Sequence, residues 1–204
     1  GAWPPSIRNA VVALIEPGAN TEAQLRPIGI LSYIYRIWMA IMREQARPWS
    51  LRLHGGAHEG AAAMACRSRA HSELAHWGGK DVLTAFLDCS KCYERIDHAT
   101  AGQRAVDTGC PATIINMAMN IYNGARYIRA HGAVATAARG RHGLIAGCSF
   151  AKDILKAFLK PISALAKVTT FRDYVDDMVV PAVGSNPEQA AKKLLADLRE
   201  IKRD

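Results

Sequence analysis

Apolar positions along the chain switch between short continuous runs and stripes spaced three or four residues apart. Ala10 to Ile15 (AVVALI) is a run of strand-forming residues, and Glu16-Pro-Gly-Ala-Asn20 is the turn that ends it. From Leu31 the period lengthens. Leu31, Ile34, Trp38, Ile41 and Met42 predict a helix that buries this stripe. Gly55, Gly56 and Gly60 mark a poorly patterned stretch before an Ala-rich helix from about Ala61 to His76. Val82 to Leu87 (VLTAFL) reads as a strand ending at Asp88. A helix is expected from about His98 to Thr108, stopped by Gly109. Pro111 suits the first turn of the next, which places Ile115, Ala118, Met119 and Tyr122 on one face before Gly124.

Ala125 to His131 and Ala133 to Ala138, hinged on Gly132, predict a hairpin. Ser149 to Ala166 is helical in pattern, with Pro161 expected to kink or end it. Val168 to Tyr174 and Met178 to Val183 read as two strands joined by a tight acidic turn. In the last helix Asn186 is the cap, Pro187 the first residue, and Leu194, Leu195, Leu198 and Ile201 the buried stripe. Lys192, Lys193, Arg199 and Lys202 form its solvated face. Strand, helices, hairpin, helix and strand–turn–strand in this order describe an α+β lobe, with helices against one face of an antiparallel sheet.

The 204 residues suffice for one large domain or two small lobes sharing a core. Half are hydrophobic and 22% charged, a globular composition. No apolar run approaches the ~20 residues that cross a bilayer. Gly1 to Arg8, with Trp3, Pro4 and Pro5, lacks the apolar core of a signal peptide, so an intracellular, membrane-free protein is expected. The missing initiating Met and the charged ending Arg199 to Asp204 suggest a piece of something longer. A net charge of +8 and a pI near 9.4 favour a polyanionic partner. The five cysteines (66, 89, 92, 110, 148) are odd in number and have no framework spacing, which fits a reduced protein. Cys89 and Cys92 form a C-x-x-C, but His54, His58, His71 and His76 do not stand at finger spacing from them, so zinc is not expected.

Two acidic sites follow apolar strands: Asp88 closes VLTAFL, and Asp176-Asp177 lie between VTTFRDY and MVVPAV. Carboxylates converging from strand ends repel one another unless cations neutralise them, and oxygen ligands suit Mg²⁺. Taken singly, Asp-Asp is an ordinary turn and Asp88 an ordinary strand terminator. Their surroundings change that reading. Tyr174-Val175-Asp176-Asp177 resembles the Tyr-x-Asp-Asp motif of reverse transcriptases. The run from Asp88 to His98 (DCSKCYERIDH) resembles their first catalytic motif, in the Asp-x-Ser-Lys-Ala-Phe-Asp form of non-LTR retrotransposons and group II introns. Gly143-Leu-Ile-Ala-Gly147 resembles their Gly-x-x-Gln-Gly segment, and Leu25-Arg-Pro-Ile-Gly-Ile-Leu31 their fingers Arg-Pro-Ile segment. The four fall in the family's order and cover nearly the whole chain.

The resemblance implies a right-hand polymerase: fingers at about 1–80 and 100–142, and a ferredoxin-like palm at about 81–99 and 143–204, without a thumb. It implies RNA-directed DNA synthesis on an RNA template from a DNA primer and dNTP, with two Mg²⁺ ions (or Mn²⁺ in their place). Asp88 and Asp176 would ligate both ions, Asp177 would support them, and the Cys89 backbone carbonyl would complete one sphere. Tyr93 would lie under the sugar C2′ and exclude a 2′-hydroxyl, whereas RNA-dependent RNA polymerases tend to place Asp there and favour Gly-Asp-Asp in the turn. Arg26 would bind the triphosphate, and Gly147 would let the backbone approach the nucleotide. Lys91 and Tyr174 are further candidates, although solvation explains Lys91 nearly as well.

The chain also departs from the family pattern. Related fingers read Leu-Ile-Pro-Lys-Pro-Gly, whereas here Leu14-Ile-Glu-Pro-Gly18 puts Glu16 where a cation is expected. Ala146 replaces the usual Gln. Two other readings therefore stay open: an inactive retroelement remnant that binds nucleic acid, and a zinc or signalling module on a ferredoxin-like sheet.

Overall fold

The computed structural model describes residues 1–15, 26–53, 61–130, 132–135, 137–167, 169, 172–174 and 177–203. The elements in chain order are α1 (Pro5–Arg8), β1 (Ala10–Ile15), β2 (Arg26–Ile30), α2 (Tyr33–Leu53), α3 (Ala61–Trp77), β3 (Asp81–Asp88), α4 (Cys92–Arg95), α5 (His98–Asp107) and α6 (Ala112–Tyr122). They continue with β4 (Ala125–Ala130), β5 (Ala133–Val134), β6 (Ala138–Arg139), α7 (Ala151–Leu165), β7 (Arg172–Tyr174), β8 (Asp177–Gly184) and α8 (Pro187–Arg203). The chain forms two compact units, one of Gly1–Gly55 with Lys91–Phe158, the other of Gly56–Ser90 with Leu159–Asp204. The expected turn at residues 16–20 and the glycines at 55, 56 and 60 lie outside the described residues. No described helix is long and apolar enough to cross a membrane.

In the first unit β1 is the centre of a mixed sheet. It pairs antiparallel with β2 and parallel with β4, and β4 carries β5 and β6 as antiparallel partners. The hairpin expectation holds, with the pairs Arg129↔Val134 and Ala130↔Ala133 closed around Gly132 at φ +80°. The parallel β1–β4 pairing joins segments more than a hundred residues apart, which local pattern does not announce. The core below holds Tyr35, Trp49, Ile114, Ile115, Ile121, Tyr122 and Phe150, all essentially without solvent exposure.

Helix α2 turns a different face inward from the one expected. Ile34 and Ile41 are exposed, and Tyr35, Met39, Ala46 and Trp49 are buried. Aromatic rings decide the rotation, because they bury more area than isoleucine and pack edge to face. Tyr35 stacks on Trp38 at 5.4 Å and meets Trp3 edge-on at 5.7 Å, and Trp38 reaches Phe150 at 5.9 Å. The Tyr35 hydroxyl lies 3.5 Å from Cys148 Sγ. Burial pushes the ionisation of both groups above their ordinary range.

The second unit is built on an antiparallel sheet of order β3-β8-β7. β8 is the central strand, with Met178, Val179, Val180 and Ala182 buried. Helix α8 packs on β8 and β3. Its start is as expected, since the Asn186 side chain accepts the Gln189 amide at 2.8 Å. Its stripe is so except at one position: Leu194, Leu198 and Ile201 are half-buried, but Leu195 is exposed and Asp197 takes an inward position instead. Asp197 accepts the Thr169 amide at 2.8 Å, the Thr169 hydroxyl at 2.6 Å and the Lys167 amide at 3.3 Å. This carboxylate thereby holds the segment that leads into β7. Pro161 neither ends nor breaks α7, which runs through it to Leu165. The hydrogen bond that proline removes is offset by burial of Ile154, Leu155, Ala157 and Leu159 on the same helix.

Candidate nucleotidyl-transfer site

β3 ends where β8 begins, and the register there pairs Asp88 with Asp177 directly. The next strand continues the row, because Tyr174 is the register partner of Asp177. Residues opposite each other in an antiparallel pair share a face. Asp88 and Asp177 therefore present two exposed carboxylates on one side of the sheet edge. Like charges directly opposite repel, which favours a cation between them. Asp176 lies outside the described residues, and among those described no group of three His, Cys, Asp or Glu side chains converges. The donors present are oxygens, and they fit a hard divalent cation rather than a soft one. Cys89, next in the chain, is half-buried.

The other candidates lie in the first unit, where Gly143 to Gly147 links three of the four motifs through its backbone. The Leu144 amide donates to the Tyr93 carbonyl at 2.7 Å, and the Gly143 amide to the Ile96 carbonyl at 2.7 Å. At its other end the Ala146 carbonyl accepts the Gly29 amide at 2.7 Å. This contact requires two glycines. A side chain on Gly29 would run into Ile145, and one on Gly147 would meet the Gly29 carbonyl oxygen at 2.6 Å. Gly147 also sits at φ +114°, where other residues are strained. Arg26 opens the strand that carries Gly29 and is the register partner of Ile15. Tyr93 is half-buried in α4. Lys91, just before that helix, is exposed and held at φ +51°, the one non-glycine residue with positive φ among those described. Such strain concentrates at functional sites.

Sequence reasoning missed the groups behind this segment. The Gly143 carbonyl oxygen lies 2.9 Å from His98 Nε2 and accepts from Arg126 at 2.8 Å. Arg126 also donates to the Tyr122 carbonyl at 3.2 Å, and burial lowers its ionisation from the ordinary value. His98 Nδ1 lies 2.8 Å from Asn123 Oδ1. Gly29 was legible only as one letter of the Arg-Pro-Ile run, because its partner lies over a hundred residues away.

A sequence profile described as "Reverse transcriptase (RNA-dependent DNA polymerase)" matches residues 17–204. No curated protein matches the chain by sequence. Among solved structures, telomerase from Candida tropicalis in complex with a TWJ fragment of telomeric RNA is similar at a TM-score of 0.65 and 12% identity. That match covers 97% of this chain and 39% of the telomerase chain. Telomerase from Candida albicans, in complex with a TWJ fragment of telomeric RNA, gives a TM-score of 0.57 at 12% identity, with 98% and 41% covered. The chain thus spans about two-fifths of the length of these structural relatives and shares their mixed α/β fold.

Proposed function

Because the chain belongs to the reverse transcriptase (RNA-dependent DNA polymerase) family, a family of nucleotidyltransferases, we propose that it is the catalytic part of a retroelement reverse transcriptase. In this reading it transfers nucleotides from dNTP to a primer 3′-hydroxyl on an RNA template. The observation that carries it is the register pairing of Asp88 with Asp177 at the end of β3, beside the Tyr-Val-Asp-Asp run. Asp88, Asp176 and Asp177, with the Cys89 backbone carbonyl, would hold two Mg²⁺ ions, and Mn²⁺ would serve in their place. When bound, such ions supply Lewis-acid stabilisation of the attacking and leaving oxygens.

The chain's own residues do the rest. The Asp88 and Asp177 carboxylates create the negative field that cations require. Gly147 lets the backbone approach the nucleotide, and the Gly29–Ala146 backbone contact fixes the segment that carries it. The Tyr93 ring excludes a 2′-hydroxyl and so selects deoxynucleotides. Arg26, with its forked guanidinium, binds the triphosphate, and Lys91 adds a second cation. Tyr174 shares the register row of the two carboxylates. We assign the fingers to about 1–80 and 100–142 and the palm to about 81–99 and 143–204.

Ala146 favours a second reading, an inactive remnant that still binds nucleic acid. The family's Gln would add a side-chain amide here, whereas alanine leaves only the backbone contact to Gly29. Primer extension on an RNA template with Mg²⁺ separates the two. Asp88→Asn should lower extension by at least about a hundredfold relative to the parent, because it removes a charge that stabilises the transferring group. Near-equal rates in parent and variant would refute the catalytic assignment. No extension by either, with folding intact, would support the remnant.

A further inference from the structure

Between Asp107 and Asp153 the chain has no acidic residue, yet it carries Arg126, Arg129, Arg139, Arg141 and Lys152. The β4–β6 hairpin divides its arginines between two faces, because successive strand residues point to opposite sides. Arg126 points inward and is occupied by the Tyr122 and Gly143 carbonyls. Arg129 lies on the other face with Ala125 and Tyr127, and Ala125 is the register partner of Arg139. Arg129, Arg139 and Tyr127 therefore share one surface. The strand registers extend it into the rows Tyr127–Val11–Ile30 and Arg129–Ala13–Ile28. It is opposite the face on which Gly29 meets Ile145 and Ala146.

This outer face is open. Ile28 and Ile30 are 42% and 53% exposed, Arg129 and Arg139 are exposed, and Tyr127 is half-buried. Among the described residues neither Arg129 nor Arg139 has an ion pair. The surface thus combines an apolar, aromatic centre with cations that have no counter-charge among the described residues. A nucleic-acid duplex offers mainly sugars and phosphates and would leave the apolar centre unused. A single strand offers unstacked bases as well as phosphates.

We infer that the outer face of the β2-β1-β4 sheet is a second nucleic-acid site that binds single-stranded RNA. Bases lie on Tyr127, Ile28 and Ile30, and phosphates on Arg129 and Arg139. The two arginine rows are four residues apart along β4, roughly 13 Å at about 3.3 Å per residue, so they hold separate phosphates of one extended strand. The inference extends the RNA-template reading above, but the site is distinct from Gly147 and needs neither divalent metal nor nucleotide.

The test is fluorescence anisotropy with the 204-residue chain, using labelled unstructured RNA and the same RNA in a duplex, without divalent metal, across a series of KCl concentrations. R129Q/R139Q should bind the single strand about tenfold more weakly and lower the slope of log affinity against log salt by roughly 1.4, at ~0.7 per lost contact. K192Q/K202Q, with the same loss of net charge on α8, should stay within about twofold of the parent. Circular dichroism controls for folding. Equal losses in the two variants, or none in R129Q/R139Q, would overturn the site. Duplex binding as tight as single-strand binding would overturn its specificity, and parent self-association that R129Q/R139Q abolishes would reassign the face to a second copy. Primer extension and metal-free RNA binding are separate readouts, so a failure of the catalytic reading and a failure of this one give different results.

Discussion

Tyr93 is positioned by its backbone. Its carbonyl accepts the Leu144 amide, so the α4 turn and the Gly143–Gly147 segment hold each other in place. The aromatic ring can be altered without touching that bond. Tyr93→Val should therefore keep the fold and raise incorporation of ribonucleotides relative to deoxynucleotides in primer extension. An unchanged ratio would make Tyr93 a packing residue only. Its neighbour Lys91 shows what a motif hides at this scale. The letters left a phosphate-attracting lysine and a solvated one nearly equal, and the structure adds a left-handed backbone that a lysine occupies only at a cost of about 1–2 kcal/mol. The spacing from Asp88 was legible in the motif, whereas the dihedral was not, because it is imposed by the turn between β3 and α4.

Among the elements, α8 shows how a hydrophobic pattern can name the right helix and miss one position of its face. Leu194, Leu198 and Ile201 follow the expected stripe, but Leu195 faces solvent and the acidic Asp197 is buried. A carboxylate inside is tolerable because two backbone amides and a hydroxyl surround it. Those bonds tie Lys167 and Thr169, three to five residues before β7, to α8. Asp197→Ala should cost about 1–3 kcal/mol in a urea unfolding titration, since it leaves part-buried donors unpaired. A loss under about 0.5 kcal/mol, typical of a surface change, would show that water replaces the carboxylate. The α5 cap behaves differently. Thr100's amide and hydroxyl hold the Asp97 carboxyl below its usual range, a cap that the expected helix from about His98 did not name.

The whole molecule is sensitive to alkaline pH through groups that folding buries. Burial, with Asp153 adding to it, pushes the Cys110 thiol up from 9.0 to about 12. A group whose folded value is raised contributes stability fully below its unfolded value and loses it as pH rises toward the folded one. The stability difference between the parent and Cys110→Ala should therefore be flat below about pH 9 and shrink between about 9 and 12. Urea midpoints taken across that window check it, and a constant difference would mean that the thiol ionises equally in both states. At this scale, what the sequence alone determined is what depends on neighbours in the chain. That includes the strand runs at residues 10–15 and 82–88, the helices ended by Gly109 and begun at Asn186, the basic surplus, and four motifs in family order. Tertiary structure decided what depends on distant partners. Aromatic packing rotated α2 away from its isoleucine stripe, and parallel pairing brought β4 beside β1. The β3–β8 register set Asp88 opposite Asp177, and two glycines over a hundred residues apart were brought into backbone contact. Local propensity acts over a turn or a hairpin, whereas register and buried face follow from which surfaces lose the most water together, a property of the folded chain.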